Sequence, residues 1–251
     1  MRNLIPILLA VVVLSSGCEC DGYSCNSEGC YEDNDNPQYQ TLEDCNSLCD
    51  ESIPGGCGSL VLHEDYLYST VQIGDQCWFA ENCRYLPEVS PSSESSDTSP
   101  YYYVYDYQGT DVASAQATTN YETYGVLYNW PAAMTEGICP SGWHIPSDGE
   151  FIELTDFLGG EGVAGGKMKE AGIDHWNSRN ASATNSSGFT GLPGGCRLSG
   201  GFGVNGDFGY WWSDSESGSY SWLRRLYYKG DNVFRYGSSR SNGFSARCIR
   251  E

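Results

Sequence analysis

Two sets of side chains in this chain could do chemistry. One is an interleaving of arginines and aromatic rings toward the C-terminal end: Tyr210, Arg225, Tyr227, Arg235, Tyr236 and Arg240. Aromatic faces stack on sugar rings and guanidinium forks pair with carboxylates or sulfates, so the combination suits an anionic glycan. Eight of the thirteen Lys and Arg residues lie from Arg197 onward, in a chain whose formal net charge is −20. The other set is His63, His144 and His175, the ready general bases. His144, between Trp143 and Ile145, reads as a packed, hydrogen-bonded residue rather than a base or ligand. No Gly-x-Ser-x-Gly, His-Glu-x-x-His or phosphate-cradling loop occurs, and no carboxylate spacing marks a glycosidase acid and base. The expectation is a protein that is not an enzyme, with no catalytic residues, no cofactor and no metal.

The first seventeen residues read as a secretory signal: Arg2 is the positive end, residues 5–14 the apolar stretch, and Ser15-Ser16-Gly17 a small-residue cleavage site. That stretch is too short to span a bilayer. Cys18 follows the small triplet as in a bacterial lipobox, which makes it the expected lipidation site and the lipid anchor the expected membrane contact. Leu14 sits one position upstream of the commonest pattern, so the alternative is a soluble secreted or periplasmic protein. Either way the expected address is outside the cytoplasm, at the envelope or outer surface. Twelve cysteines without a C-x-x-C pair agree, since they suit disulfides in an oxidising compartment better than zinc. With Cys18 acylated an odd number remains.

Residues 18–56 form an acidic, cysteine-rich spacer or small disulfide module. It holds ten carboxylates and no Lys or Arg, which makes nucleic acid an unsuitable partner. Its aliphatic content is too low for a core, so disulfides would have to hold it. Asp33-Asn34-Asp35-Asn36 looks like the start of a calcium loop, but Pro37 takes the fifth position and the turn glycine and closing Glu are missing. The stretch Tyr39 to Cys49 resembles the tail of Kunitz-like cysteine modules, too little to imply an inhibitor. Residues 52–59, with Pro54-Gly55-Gly56, read as a linker.

From residue 57 the composition suits one α+β domain reaching residue 251. Tyr66, Tyr68, Thr70, Val71 and Ile73 are strand formers, with a turn at Gly74-Asp75 before Cys77-Trp78-Phe79. Residues 90–99 hold six serines and two carboxylates and read as an exposed loop; residues 101–105 return to strand composition. The clearest helix starts at Ser147, where Ser147-Asp148-Gly149-Glu150 is a capping box. Phe151, Leu154 and Leu158 then line one face, and Gly159-Gly160 stops the helix. A further short turn is expected over residues 165–170, and strands over 210–213, 221–228, 233–236 and 244–249. Trp211 and Trp212 supply at least one core ring. The acceptor sequons at Asn180 and Asn185 read as accidental.

Five ordered motifs carry a resemblance. They are Thr70-Val71-Gln72-Ile73-Gly74-Asp75-Gln76-Cys77-Trp78-Phe79-Ala80-Glu81-Asn82; Tyr124-Gly125-Val126-Leu127-Tyr128-Asn129-Trp130; Cys139-Pro140-Ser141-Gly142-Trp143-His144-Ile145-Pro146-Ser147-Asp148; Gly188-Phe189-Thr190-Gly191-Leu192-Pro193-Gly194-Gly195; and Gly243-Phe244-Ser245-Ala246-Arg247-Cys248. Over residues 70–250 the chain resembles the Fibrobacter succinogenes major paralogous domain family, exported bacterial surface proteins and lipoproteins of unknown function. The resemblance implies a C-type-lectin-like fold with short antiparallel strands, one main helix and long irregular loops, stapled by disulfides. It implies a bond between Cys139 and Cys248. Cys83 and Cys196 depart from the family pattern together, which suggests that they pair and leave Cys57 with Cys77; a local Cys77 to Cys83 bond is the alternative. In lectin-like folds the region of Tyr210, Arg225, Tyr227, Arg235, Tyr236 and Arg240 displays ligand contacts. The closing motif also resembles the end of formylglycine-generating enzymes, but their paired active-site cysteines are not recognisable here. The implied role is non-catalytic binding of a glycan or a surface protein; the alternative is a structural display protein with variable loops and no single ligand.

Overall fold

The structure, a computed structural model, describes residues 56–199 and 201–250 in full and three short strands before residue 33. The chain divides into two compact units, Met1–Gly56 and Cys57–Glu251. In the first, β1 (Glu19–Cys20), β2 (Tyr23–Asn26) and β3 (Gly29–Glu32) form an antiparallel sheet in that order. The expected signal segment, the Cys18 lipidation site and the Kunitz-like tail lie outside the described residues.

The second unit is built on two sheets. A five-stranded sheet runs β4 (Leu60–His63), β5 (Tyr66–Ile73), β6 (Gln76–Phe79), β15 (Ile249–Arg250) and β9 (Trp143–His144). The chain's last strand is therefore inserted between early ones, with Ile249 opposite Trp78 on one side and His144 on the other. A three-stranded antiparallel sheet joins β12 (Phe208–Ser217), β13 (Tyr220–Tyr227) and β14 (Phe234–Ser239). Two small ladders, β7 (Tyr102–Tyr103) with β8 (Leu127–Tyr128) and β10 (Cys196–Leu198) with β11 (Gly201–Gly203), complete the strands.

Among the described residues the helices are α1 (Val112–Gln116), α2 (Thr119–Tyr124), α3 (Trp130–Ala133), α4 (Asp148–Phe157) and α5 (Ala164–Met168). The longest, α4, starts as its sequence requires. Ser147 Oγ accepts from Glu150 N at 3.1 Å, and Ser147 N donates to Glu150 Oε2 at 2.7 Å. The three helices before it were not expected, because four to six residues make too few turns for a periodic stripe. Each has a side-chain cap, from Asp111, Thr118 and Asn129 respectively.

The expected strand over 244–249 is also shorter. Phe244 and Ser245 make isolated bridges to Tyr128 and Trp211, so this stretch threads between elements before it pairs regularly at Ile249. The serine-rich segment is exposed over much of its length but tethered from within, with Ser90 and Ser92 buried. Buried Arg197 donates to Ser92 O at 2.9 and 2.7 Å and to Glu94 O at 2.7 Å, while Asn129 Nδ2 reaches Ser96 O and Ser99 O at 2.8 Å each.

Apolar residues gather in two clusters. One holds Phe151, Leu154 and Leu158 of the α4 face with Trp78, Phe189, Trp211 and Leu226; the other holds Tyr68, Phe79, Tyr128, Trp212, Leu223 and Phe244. Trp211 and Trp212 are both fully buried, one in each cluster, because neighbours on a strand point to opposite faces. Disulfides join Cys57 to Cys77 and Cys139 to Cys248. The latter closes a loop spanning 109 positions, worth up to about 4–5 kcal/mol in the chain-entropy model.

The expected Cys83 to Cys196 bond does not form; both thiols are free and buried. Cys83 instead lies against the other bridge, its Sγ 3.5 Å from Cys248 Sγ, while Cys196 opens the β10–β11 ladder with its Sγ 3.8 Å from Gly203 O. The local alternative is excluded as well, since Cys77 is spent on Cys57.

Candidate functional site

The sequence motifs meet at one buried point. Arg247 is fully buried, and its guanidinium donates to Asn82 Oδ1 at 3.2 and 3.3 Å, to Thr190 O at 3.0 Å, and to Phe189 O. Its Cζ stands 3.9 Å from the Phe189 ring centre. Asn82 Oδ1 also accepts from Trp211 Nε1 at 2.8 Å, while Asn82 Nδ2 donates to Tyr124 O at 3.0 Å and Ser245 Oγ at 3.3 Å. Burial pushes the Arg247 guanidinium down; carbonyls, an amide and a π-face, rather than an ion pair, solvate it. Gly125 serves the same knot: its φ is +70°, and a Cβ there would sit 2.6 Å from Cys83 O. The third motif joins through the bridge from Cys139 to Cys248 and the pairing of β9 with β15.

The ordered motifs therefore hold one another in place. The model of the Fibrobacter succinogenes major domain matches residues 71–250. The chain belongs to that family. No curated protein and no solved structure matches it.

Each histidine in this Fibrobacter succinogenes major domain has a ring nitrogen engaged by a carboxylate or a backbone carbonyl. His144 Nε2 lies 2.8 Å from Glu150 Oε1, so it completes the capping box of α4. Burial works to raise the Glu150 pKa, but hydrogen bonds from Ser147 and His144 hold it below the usual glutamate value. His175 Nδ1 is 2.9 Å from both Glu170 oxygens, and His63 Nε2 is 2.8 Å from Gly137 O. Asn180 is buried and donates to Glu170 O and Gly172 O, which leaves that sequon no free side chain.

The six arginine and aromatic candidates do not form one cluster. Strand register sets Tyr210 opposite Arg225 and Arg225 opposite Phe234 on one face of the three-stranded sheet. Arg225 Cζ lies 5.1, 4.5 and 5.3 Å from the ring centres of Phe208, Phe234 and Tyr236. Tyr227 stacks on Phe208, with centroids 4.5 Å apart and planes 10° apart. Tyr210 is buried against Phe244, whereas Arg225, Tyr227 and Tyr236 are half-buried and Phe234 is exposed. Arg225 Nε is buried with no hydrogen-bond partner.

Arg235 belongs to the opposite face. It makes two 2.8 Å hydrogen bonds to the Asp148 carboxylate and lies 3.7 Å over the Trp222 ring. Arg240 lies past the end of β14, bonded to Ser221 Oγ at 3.1 Å, paired with Glu216 at 3.1 Å and set 4.5 Å over Trp130. Both are occupied structurally. The sequence reading missed Phe208 and Phe234, which box in Arg225. The spacing Phe208-x-Tyr210 and Phe234-x-Tyr236, period two on a strand, is the signal that finds them.

Proposed function

We propose that this protein is a non-catalytic envelope lipoprotein, anchored through Cys18, whose C-type-lectin-like domain binds an anionic glycan on the face around Arg225. One observation carries the choice of site. Of the three candidate arginines, Arg225 alone has no carboxylate partner among the described residues, and it stands in a half-open box of aromatic rings. The half-buried Arg225 side chain brings a positive charge toward a sulfate or uronate, and the Phe208–Tyr227 stack and the exposed Phe234 offer apolar area to a sugar face. The lectin-like architecture is supported by one main helix, short antiparallel strands, long connections and a terminal strand returned beside the entry to that helix. The absence of catalysis is supported by histidines committed to helix capping and local contacts.

The test is a glycan array followed by affinity measurement with the full chain. Replacing Arg225→Met together with Tyr227→Leu keeps apolar volume and should weaken binding of a sulfated or uronate glycan at least tenfold, about 1.4 kcal/mol. Added salt should weaken it further, since charge pairs at a surface are screened over ~8–10 Å. Unchanged binding by the double variant, or an array with no anionic ligand, overturns the reading in favour of a display protein. Mass spectrometry of the mature N-terminus tests the anchor: an acylated Cys18 is expected, and an unmodified terminus downstream of it rejects lipidation.

A further inference from the structure

Three sulfurs sit together where a structural disulfide needs two. The Sγ atoms of Cys83, Cys139 and Cys248 all lie within 4.8 Å of one another, and Cys83 Sγ is 3.5 Å from Cys248 Sγ. Cys139 and Cys248 are bonded and Cys83 is a free thiol. The three differ in exposure. Cys83 and Cys248 are fully buried, whereas Cys139 is half-buried on the wall of an open groove of about 470 Å³ shared with Met134, Trp143 and His144.

We propose that Cys83 exchanges into this bridge and turns Cys139 into a reactive thiol site in the groove. The Cys83 thiolate attacks Cys248 Sγ, the bond from Cys83 to Cys248 forms, the bond from Cys139 to Cys248 breaks, and Cys139 leaves with the electron pair. The Cys83 proton goes to solvent, and the Cys139 thiolate either takes one up or reacts. No oxidant or reductant is consumed, so the protein changes its connectivity at a constant number of disulfides. The freed sulfur is the accessible one, and it can accept an alkylating electrophile or a disulfide-bearing molecule at the groove wall.

The step is restrained at neutral pH. Burial pushes the Cys83 thiol up to about 12, with the Arg247 guanidinium and the backbone N–H groups of Cys248 and Cys83 acting in the other direction. Tyr68 and Tyr128 also face this thiol, and both are themselves raised by burial. Only the thiolate attacks, so exchange should accelerate about tenfold for each pH unit while the thiol remains mostly protonated.

The experiment incubates the native full chain with iodoacetamide at pH 7, 8 and 9, quenches with acid, and maps peptides without reduction. The expected result is alkylation of Cys139 in step with the appearance of a peptide linked from Cys83 to Cys248, at rates rising about tenfold per pH unit. Cys83→Ser should abolish both while leaving the bond from Cys139 to Cys248 in place. Cys196→Ser, which removes the other free buried thiol among the described residues, should change neither. Label at Cys139 in the Cys83→Ser protein overturns the proposal, because another thiol or an external agent is then the attacker. Label confined to Cys83, or none at Cys139 after a day at pH 9 with the circular dichroism spectrum unchanged, overturns it equally.

Discussion

Adjacent arginines on β13 meet opposite fates. Arg224, fully buried, donates from Nη1 to Asp148 Oδ1 at 2.8 Å and from Nη2 to Asp148 O at 3.0 Å, and the same carboxylate holds Arg235. Arg225, one residue on, faces the rings of Phe208, Phe234 and Tyr236. The alternation of a strand makes the difference: a step of one position moves a side chain from the face that packs on α4 to the face that does not. One face is closed by a carboxylate placed in the first turn of a helix. The other leaves a charge held by π-faces. Richness in arginine says little by itself; register decides which arginine is available.

The sharpest way to break this comparison is to remove Asp148. Asp148→Ala leaves Arg224 buried without its ion-pair partner, and breaking a buried pair from one side costs about 3–5 kcal/mol. Urea unfolding should show that loss, while Arg225→Met, which keeps the stem packing, should cost less than about 1.5 kcal/mol. Equal losses would mean that the two faces are held alike. The acid limb adds a sign. Burial works to raise the Asp148 pKa, but hydrogen bonds from Arg235 and Arg224 hold it below 3.8. Its contribution is therefore present above that value and lost as pH falls through the folded pKa.

The Arg225 face should fail at the other end of the scale. Burial raises Tyr210 and Tyr236 above 10, with Arg225 acting against the rise in both. Folded tyrosines thus keep their protons after unfolded ones have lost them, and stability present below pH 10 falls as pH climbs beyond it. Cys83 and Cys196, both pushed up to about 12 by burial, begin a similar loss from about pH 9. Comparing Tyr210→Phe with the parent at each pH cancels those shared losses. The variant's decline above pH 10 should be shallower by about 1.4 kcal/mol per pH unit. Identical slopes would mean that Tyr210 ionises as freely folded as unfolded.

What could be read in the sequence was what is local. The capping box at Ser147 needs four residues and came out as written, as did the stripe of Phe151, Leu154 and Leu158. The hairpin from β5 to β6 needed only strand formers around Gly74-Asp75. The helix caps at Asp111, Thr118 and Asn129 were equally local, but without a stripe to follow them they did not announce helices. Long-range pairings were harder. Two cysteines that departed together from the family pattern were joined on that ground, yet Cys83 is held beside Cys248 by the backbone bond from Cys83 N to Ala246 O at 2.9 Å, which no spacing reveals. The candidate site fell between these cases. The residue types pointed to one sheet, but whether Arg225 or Arg235 faced a carboxylate depended on which side of that sheet α4 covered.

The smallest effect separates the buried arginine from its outer neighbour. Arg235 makes two hydrogen bonds to Asp148 and stacks on Trp222, yet its side chain is 32% exposed, against 0% for Arg224. Arg235→Lys keeps the charge and loses the fork and the stacking. Water screens what remains, and Arg224 still neutralises the carboxylate, so the loss should be about 0.5–1 kcal/mol in urea unfolding. A loss matching that of Asp148→Ala would make the outer arginine the element that closes this face. The distinction between the faces would then rest on a solvent-reachable pair, and Arg235, unoccupied in the variant with Asp148 removed, would compete with Arg225 as the contact proposed for a ligand.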